Sequence, residues 1–129
     1  VAARLADLVA LSPSAVHRRV KLLEARGLIS GYRAVLSAEA RGRPATVFIS
    51  VTLRDQREET LRTFERAVAA CREIREVHLM AGDADYLLKV EVPPEGGFER
   101  LHAEVLSRLP GVQTLVSRFS IRAVLDRGP

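Results

Sequence analysis

The sequence predicts an α+β fold in two parts: an N-terminal (winged) helix-turn-helix over residues 1–43 and a ferredoxin-like βαββαβ domain over residues 44–129. Three observations predict it. Apolar residues recur at helical spacing up to Leu23 and then, past Pro44, switch to strict alternation. Two helical patterns at the start are parted only by Ala10-Leu11-Ser12, room for a tight turn and nothing more. Charge is also partitioned. Up to Arg43 there are eight basic against three acidic residues, a net +5, and beyond it twelve against thirteen, so the whole excess of the +4 chain is N-terminal. A positive module joined to a near-neutral one fits a phosphate-binding part attached to a part with another task.

The first helix is expected from Val1 to Val9, with Leu5, Leu8 and Val9 as its apolar stripe. The second should start at Ser12, whose hydroxyl can accept an unpaired N–H, with Pro13 in the first helical position, where no N–H is needed. Val16, Val20 and Leu23 form its buried stripe, and Gly27 stands where a left-handed C-cap is wanted. Ser14, His17, Arg18 and Lys21 fall together on the opposite side. Short polar and long cationic side chains near a helix N-terminus are what the major groove of DNA accepts, although basic residues on an ordinary solvated face look the same. Gly31 to Leu36 alternates weakly, as a short strand would, and Ser37 to Pro44 reads as a hinge.

Beyond the hinge, Val47, Ile49, Val51 and Leu53 mark a strand, and Leu61, Phe64, Val68 and Cys71 a helix over Glu58 to Arg72. Val77, Leu79 and Ala81 mark the next strand, Gly82 to Asp85 a tight turn, and Tyr86, Leu88, Val90 and Val92 the strand after it. Pro93-Pro94 stops that strand. Phe98, Leu101, Val105 and Leu109 then mark a helix ended by Pro110-Gly111, and Leu115 to Leu125 alternates as a long final strand. Such a sheet has helices on one side only. Phe48, Met80, Leu87 and Val116 fall opposite the main stripes, so the uncovered face is expected to be apolar in patches and to pair with a second copy.

Leu5-Ala6, Leu11-Ser12-Pro13-Ser14, Arg18-Arg19-Val20, Leu23-Glu24 and Gly27-Leu28-Ile29-Ser30-Gly31-Tyr32 resemble the DNA-binding half of the Lrp/AsnC, or feast/famine, regulators. Val77-His78-Leu79, Gly82 to Leu88 and Leu109-Pro110-Gly111-Val112 resemble that family's ligand-sensing half. Relative to the family pattern, the chain starts at the second helix of the DNA-binding unit. The resemblance implies a sequence-specific prokaryotic transcription regulator that binds double-stranded DNA, forms homodimers and octamers, senses an amino acid or related metabolite, and uses no further cofactor. It places DNA contacts at Ser12, Ser14, Ala15, His17, Arg18, Arg19, Lys21 and Arg26, and effector contacts at His78, Gly82, Asp83, Asp85, Tyr86 and Ser117. Ala10 stands where the family usually has glycine. On the last strand, where the family alternates hydroxyl residues, only Ser117 follows Leu115.

Without the resemblance, Gly-Asp-Ala-Asp is also an ordinary hairpin turn. Two other readings compete: a stand-alone amino-acid-binding dimeric module that never touches DNA, and a small dimeric ferredoxin-like enzyme. For the enzyme the residues offer little, so a non-enzymatic protein is expected. His17, His78 and His102 show no metal-ligand spacing, and Cys71 has no adjacent base. That lone cysteine calls for no oxidising compartment, and the most apolar run, Ala45 to Leu53, is too short to span a bilayer, so a cytoplasmic protein without membrane contact is expected.

Overall fold

The computed structural model describes residues 2–128. The chain forms two compact units, Val1–Leu36 and Ser37–Pro129. Ser37–Arg43, which the sequence reads as part of a hinge, is grouped with the second unit, where Arg41 pairs with Glu91 at 3.1 Å.

In the first unit, helix α1 spans Ala2–Val9 and helix α2 spans Pro13–Ala25. Val1, the expected start of the first helix, lies outside the described residues. Ser12 caps α2 from an extended backbone, its Oγ accepting the Ala15 N–H at 3.2 Å. At the other end Gly27 takes φ +75°, and the Gly27 and Leu28 N–H groups donate to the carbonyls of Glu24 (3.0 Å) and Leu23 (2.9 Å). These are the paired bonds of a Schellman cap. Ala6 and Val16 are the buried contacts of the pair. The expected stripe of α1 is corrected, since Leu5, Leu8 and Val9 are exposed: two crossing helices share one line of contact, and small Ala6 occupies it. Leu23, expected in the buried stripe of α2, is likewise at the surface. The strand expected over Gly31–Leu36 does not form, because alternation alone cannot satisfy a strand's backbone groups without a neighbouring strand.

The second unit runs β1 (Ala45–Leu53), α3 (Glu58–Ala69), β2 (Ile74–Leu79), β3 (Tyr86–Val92), α4 (Gly97–Glu104), a 3-10 turn (Leu106–Arg108) and β4 (Val112–Phe119). The strands form one sheet in the order β2-β3-β1-β4, all neighbours antiparallel. Val47, Ile49, Val51 and Leu53 of β1 are almost wholly buried, with Leu88, Val90 and Val92 of β3 beside them and Phe64, Val68, Leu101 and Leu106 above. One face of the sheet therefore carries the helices. Asp55 precedes α3, its carboxylate accepting the Thr60 hydroxyl (2.7 Å) and the Arg57 N–H (3.0 Å), bonds that hold its pKa below the usual range.

Three element ends, and the burial of one strand, differ from expectation. Helix α3 stops at Ala69, so Cys71 meets the core edge from the following turn, where burial raises its thiol pKa. Helix α4 breaks at Val105, and the 3-10 turn swings Leu106 into the core in place of a continued helical stripe. On the edge strand β2, Val77 and Leu79 sit on the helix-covered side but are 37% and 65% exposed. Strand β4 ends at Phe119 rather than near Leu125 because its register has reached Val47, at the start of β1; one more bond, Ser120 N–H to Thr46 O at 2.9 Å, exhausts the neighbour. Ile121, Val124 and Leu125 are exposed.

Ala10, in the turn between α1 and α2, has φ +57°, a left-handed conformation that costs a residue with a Cβ about 1–2 kcal/mol. Glycine removes that strain and returns about 0.4–1 kcal/mol of it as added freedom of the unfolded chain. Ala10→Gly should therefore stabilise the first unit by up to about 1 kcal/mol, seen as a higher midpoint in urea by circular dichroism; an unchanged or lower midpoint would contradict the strain.

Candidate DNA interface and effector loop

The outward side of α2 follows from its inward side. With Val16 buried, residues two positions before it and one, two and five after it point away, and Ser14, His17, Arg18 and Lys21 are all exposed. Arg19, which a helical wheel sets beside the buried stripe, is exposed too, as are Ser12 and Arg26 at the two ends of the helix. Ala15 is half-buried. No acidic residue stands in the first turn, so the positive end of the helix dipole is left uncompensated. The Ser12 hydroxyl serves the Ala15 N–H and lies 3.3 Å from the Ser14 hydroxyl, which orients both at the helix entrance. The arrangement offers a phosphate a helix N-terminus flanked by guanidinium groups, and offers base edges one imidazole, one guanidinium and one ammonium at successive helical steps.

The effector positions do not gather in one place within the chain. Gly82, at φ +132°, and Asp83 are exposed on the β2–β3 connection. Asp85 is occupied with the fold: its Oδ2 accepts the Leu53 N–H at 2.7 Å, the Gln56 side-chain amide donates to its Oδ1 at 3.4 Å, and its own N–H donates to Val51 O at 2.8 Å. Tyr86 turns inward. Its ring is 1% exposed and packs on Phe64 with centroids 4.7 Å apart, and its hydroxyl donates to Glu65. Burial, reinforced by that carboxylate, drives the phenol well above its ordinary pKa.

His78 and Ser117 lie on opposite faces. His78 pairs with Leu87 on the open face of the sheet, whereas Ser117 pairs with the buried Ile49 on the helix-covered face. His78 Nε2 is 2.9 Å from Glu76, which also meets Lys89 at 3.4 Å. The hydrogen bond from His78, with help from Lys89, holds the Glu76 carboxyl below its usual pKa. This small charged network is not apparent in the sequence, because a bulge between Ile74 and Glu76 resets the register that brings Glu76 opposite Lys89. Next to it the same open face presents Phe48 (38% exposed), Leu87 and Val116 (41% exposed), with Leu87 and Val116 flanking Ser50 in one row. Met80, expected with them, follows the end of β2 and is exposed.

A groove of about 180 Å³ opens between the end of β3 and α4, lined by Glu73, Pro93, Gly97, Arg100 and Glu104. It is smaller than the roughly 300–1,000 Å³ of ordinary small-molecule sites. Among the described residues no group of three or more His, Cys, Asp or Glu side chains is placed to hold a metal ion, and no helix is long and apolar enough to cross a membrane.

Comparison with known proteins bears on both units. Residues 2–30 match the family model described as winged helix-turn-helix DNA-binding, and residues 46–129 the one described as Lrp/AsnC ligand binding domain. An uncharacterized HTH-type transcriptional regulator of Sinorhizobium fredii is 51% identical over 91% of the chain and 92% of its own length. The leucine-responsive regulatory protein of Haemophilus influenzae is 42% identical over 84% of the chain, but the match spans only 65% of that protein. Among solved structures, a transcriptional regulator of Neisseria meningitidis in complex with L-methionine superposes with a TM-score of 0.86 at 29% identity, over 98% of this chain and 81% of that one. An AsnC family regulator of Agrobacterium tumefaciens gives 0.86 at 28% identity, over 98% and 82%. With the ligand-binding match covering nearly the whole second unit, and a close relative spanning both, the chain belongs to the Lrp/AsnC family.

Proposed function

We propose that this chain is an amino-acid-responsive transcription regulator, in which the first unit reads double-stranded DNA and the second pairs two copies and holds the effector. The observation that carries the reading is the outward face of α2. Ser14, His17, Arg18 and Lys21 are all solvent-exposed at the capped, acid-free start of a helix, in a chain whose second unit is of the Lrp/AsnC ligand-binding type. His17 and Arg18 are the base readers, with Ser14, Ala15 and Lys21 alongside; Ser12, Arg19 and Arg26 meet phosphates. Affinity of such an exposed cationic face for DNA should fall steeply with salt as counterions are released. The protein acts in the cytoplasm, where its DNA is.

Two copies meet through the open sheet face. A patch of Phe48, Leu87 and Val116 beside the Glu76, His78 and Lys89 network has the apolar centre and polar rim that protein interfaces use. Pairing also supports the DNA reading, since two helices can then address two half-sites. Further assembly into octamers would use other surfaces.

The effector is an amino acid, consistent with the L-methionine complexes among the structural relatives in Neisseria meningitidis and Mycobacterium tuberculosis. Gly82 and Asp83 are the positions of the loop best exposed to meet it. His78 and Ser117 lie on opposite faces, which supports reading them as contributions from different copies to an effector held at subunit boundaries. Asp85 and Tyr86 then act as supports of the loop rather than as side-chain contacts.

Three outcomes test the reading. In fluorescence anisotropy with DNA selected from a random pool by the native chain, Arg18→Ala should weaken binding by about 1–3 kcal/mol and relax preference at one base position, while Arg19→Ala or Arg26→Ala should lower the salt slope by about one. Flat binding to selected and scrambled DNA alike would refute the regulator. In sedimentation velocity, Phe48→Asp should convert the assembled protein to monomer without loss of helical signal; unchanged assembly would move the interface elsewhere. By calorimetry, Asp83→Asn should weaken L-methionine or L-leucine binding about tenfold or more, as loss of a charged partner does, and no heat from any amino acid with the native chain would remove the effector role.

A further inference from the structure

The second unit begins with a short segment, Ser37–Arg43, wound into a single turn. The Ser37 hydroxyl accepts the Ala40 N–H at 3.2 Å, the Arg41 N–H donates to Ser37 O at 3.0 Å, and the Arg43 N–H donates to Ala38 O at 2.7 Å. One side chain fastens this turn to the sheet. The Arg41 guanidinium lies 3.1 Å from one oxygen of Glu91 on β3, and Arg75 Nε lies 3.9 Å from the other; the Glu91 side chain is only 17% exposed. At its far end the turn is strained. Arg43 takes φ +49°, left-handed for a residue with a Cβ, directly before Pro44, which itself favours an extended backbone at the preceding residue. The ion pair and the turn's own hydrogen bonds, with a Glu39–Arg43 pair inside it, hold the segment against the backbone cost of a left-handed Arg43, and such opposition is what a two-position element requires.

We infer that Ser37–Arg43 is a releasable strap that stores linker length between the two units. Ser30–Leu36, although without helix or strand, belongs to the first unit, so it is the strap that can lengthen the connection: released, its seven residues reach about 23–25 Å at full extension. The consequence for regulation rests on the DNA-binding reading: an extra 25 Å is about seven base pairs at roughly 3.4 Å each, enough to change which half-site separations two copies can span. The holding contact is partly exposed and ionic, so salt weakens it, and an anion or a partner carboxylate competing for Arg41 would open it.

Trypsin reads the strap directly, because it cuts after Arg only when that side chain enters the protease and no Pro follows. Arg43-Pro44 is resistant, Arg41-Gly42 reports the strap, and Arg33-Ala34, exposed and outside any helix or strand, is the internal control. Mass spectrometry of early digests should show Arg41-Gly42 cut more slowly than Arg33-Ala34 in the native chain. Glu91→Gln should raise the ratio of the two rates about two- to fivefold, as expected for loss of a partly exposed ion pair, and added NaCl should raise it in the native chain. An unchanged ratio, or equal acceleration at both bonds, would overturn the strap. If the variant loses its sheet signal by circular dichroism, the salt series on the native chain decides alone: a rising ratio supports the strap and a flat one rejects it. No DNA enters this assay, so its failure leaves the DNA-binding reading standing, and failure of the anisotropy measurement leaves the strap standing.

Discussion

The period-two alternation of β1 governs most of what this molecule presents to its surroundings. Val47, Ile49, Val51 and Leu53 point under the helices, and the antiparallel partners on either side are locked to them residue by residue. A one-residue slip of either neighbour would carry its apolar set to the wrong face, so the burial of β1 fixes register across the sheet. Once that register is set, everything on the open face is determined with it. Phe48, Leu87 and Val116 come together in one patch, and Lys89 arrives opposite Glu76, beside His78. A surface suited to another protein is thus a by-product of how the interior is packed.

The fold was legible in the sequence wherever the signal was a strong period with a clean stop. Strands β1 and β3 and the capped helix α2 are of this kind, because Ser12-Pro13 and Gly27 announce the helix ends and Pro93 closes the strand. It was misleading where a periodic run outlasted its neighbour. Leu115 to Leu125 alternates throughout, yet β4 ends when β1 runs out, and Gly31 to Leu36 alternates with no strand beside it. Periodicity records what a segment could bury; whether it does so depends on partners far away in sequence. The same limit explains α4, whose heptad-like spacing continues to Leu109 while the backbone tightens at Val105 to bring in Leu106.

The site was legible to different degrees in the two units. On α2 the face follows from local spacing alone, so exposure of Ser14, His17, Arg18 and Lys21 needed no knowledge of the rest of the chain. The effector positions depend on tertiary placement. Nothing in the letters around Gly82 tells that Asp85 would be engaged by the Leu53 amide, that the Tyr86 ring would be sealed against Phe64, or that His78 and Ser117 would fall on opposite faces. Hydrogen bonds that reach 32 residues along the chain are invisible to any local pattern.

The Asp85 carboxylate has a consequence for how this loop can diversify. By holding the last amide of β1, it makes one of two neighbouring acids part of the scaffold, while Asp83 stands in water two residues away. Replacing Asp85 would leave a partly buried N–H without its acceptor, a loss borne by the central strand. Asp83 carries no such obligation. On the proposed reading of Asp83 as an effector contact, ligand preference can therefore drift at one position of the turn while its neighbour stays fixed by the needs of the fold.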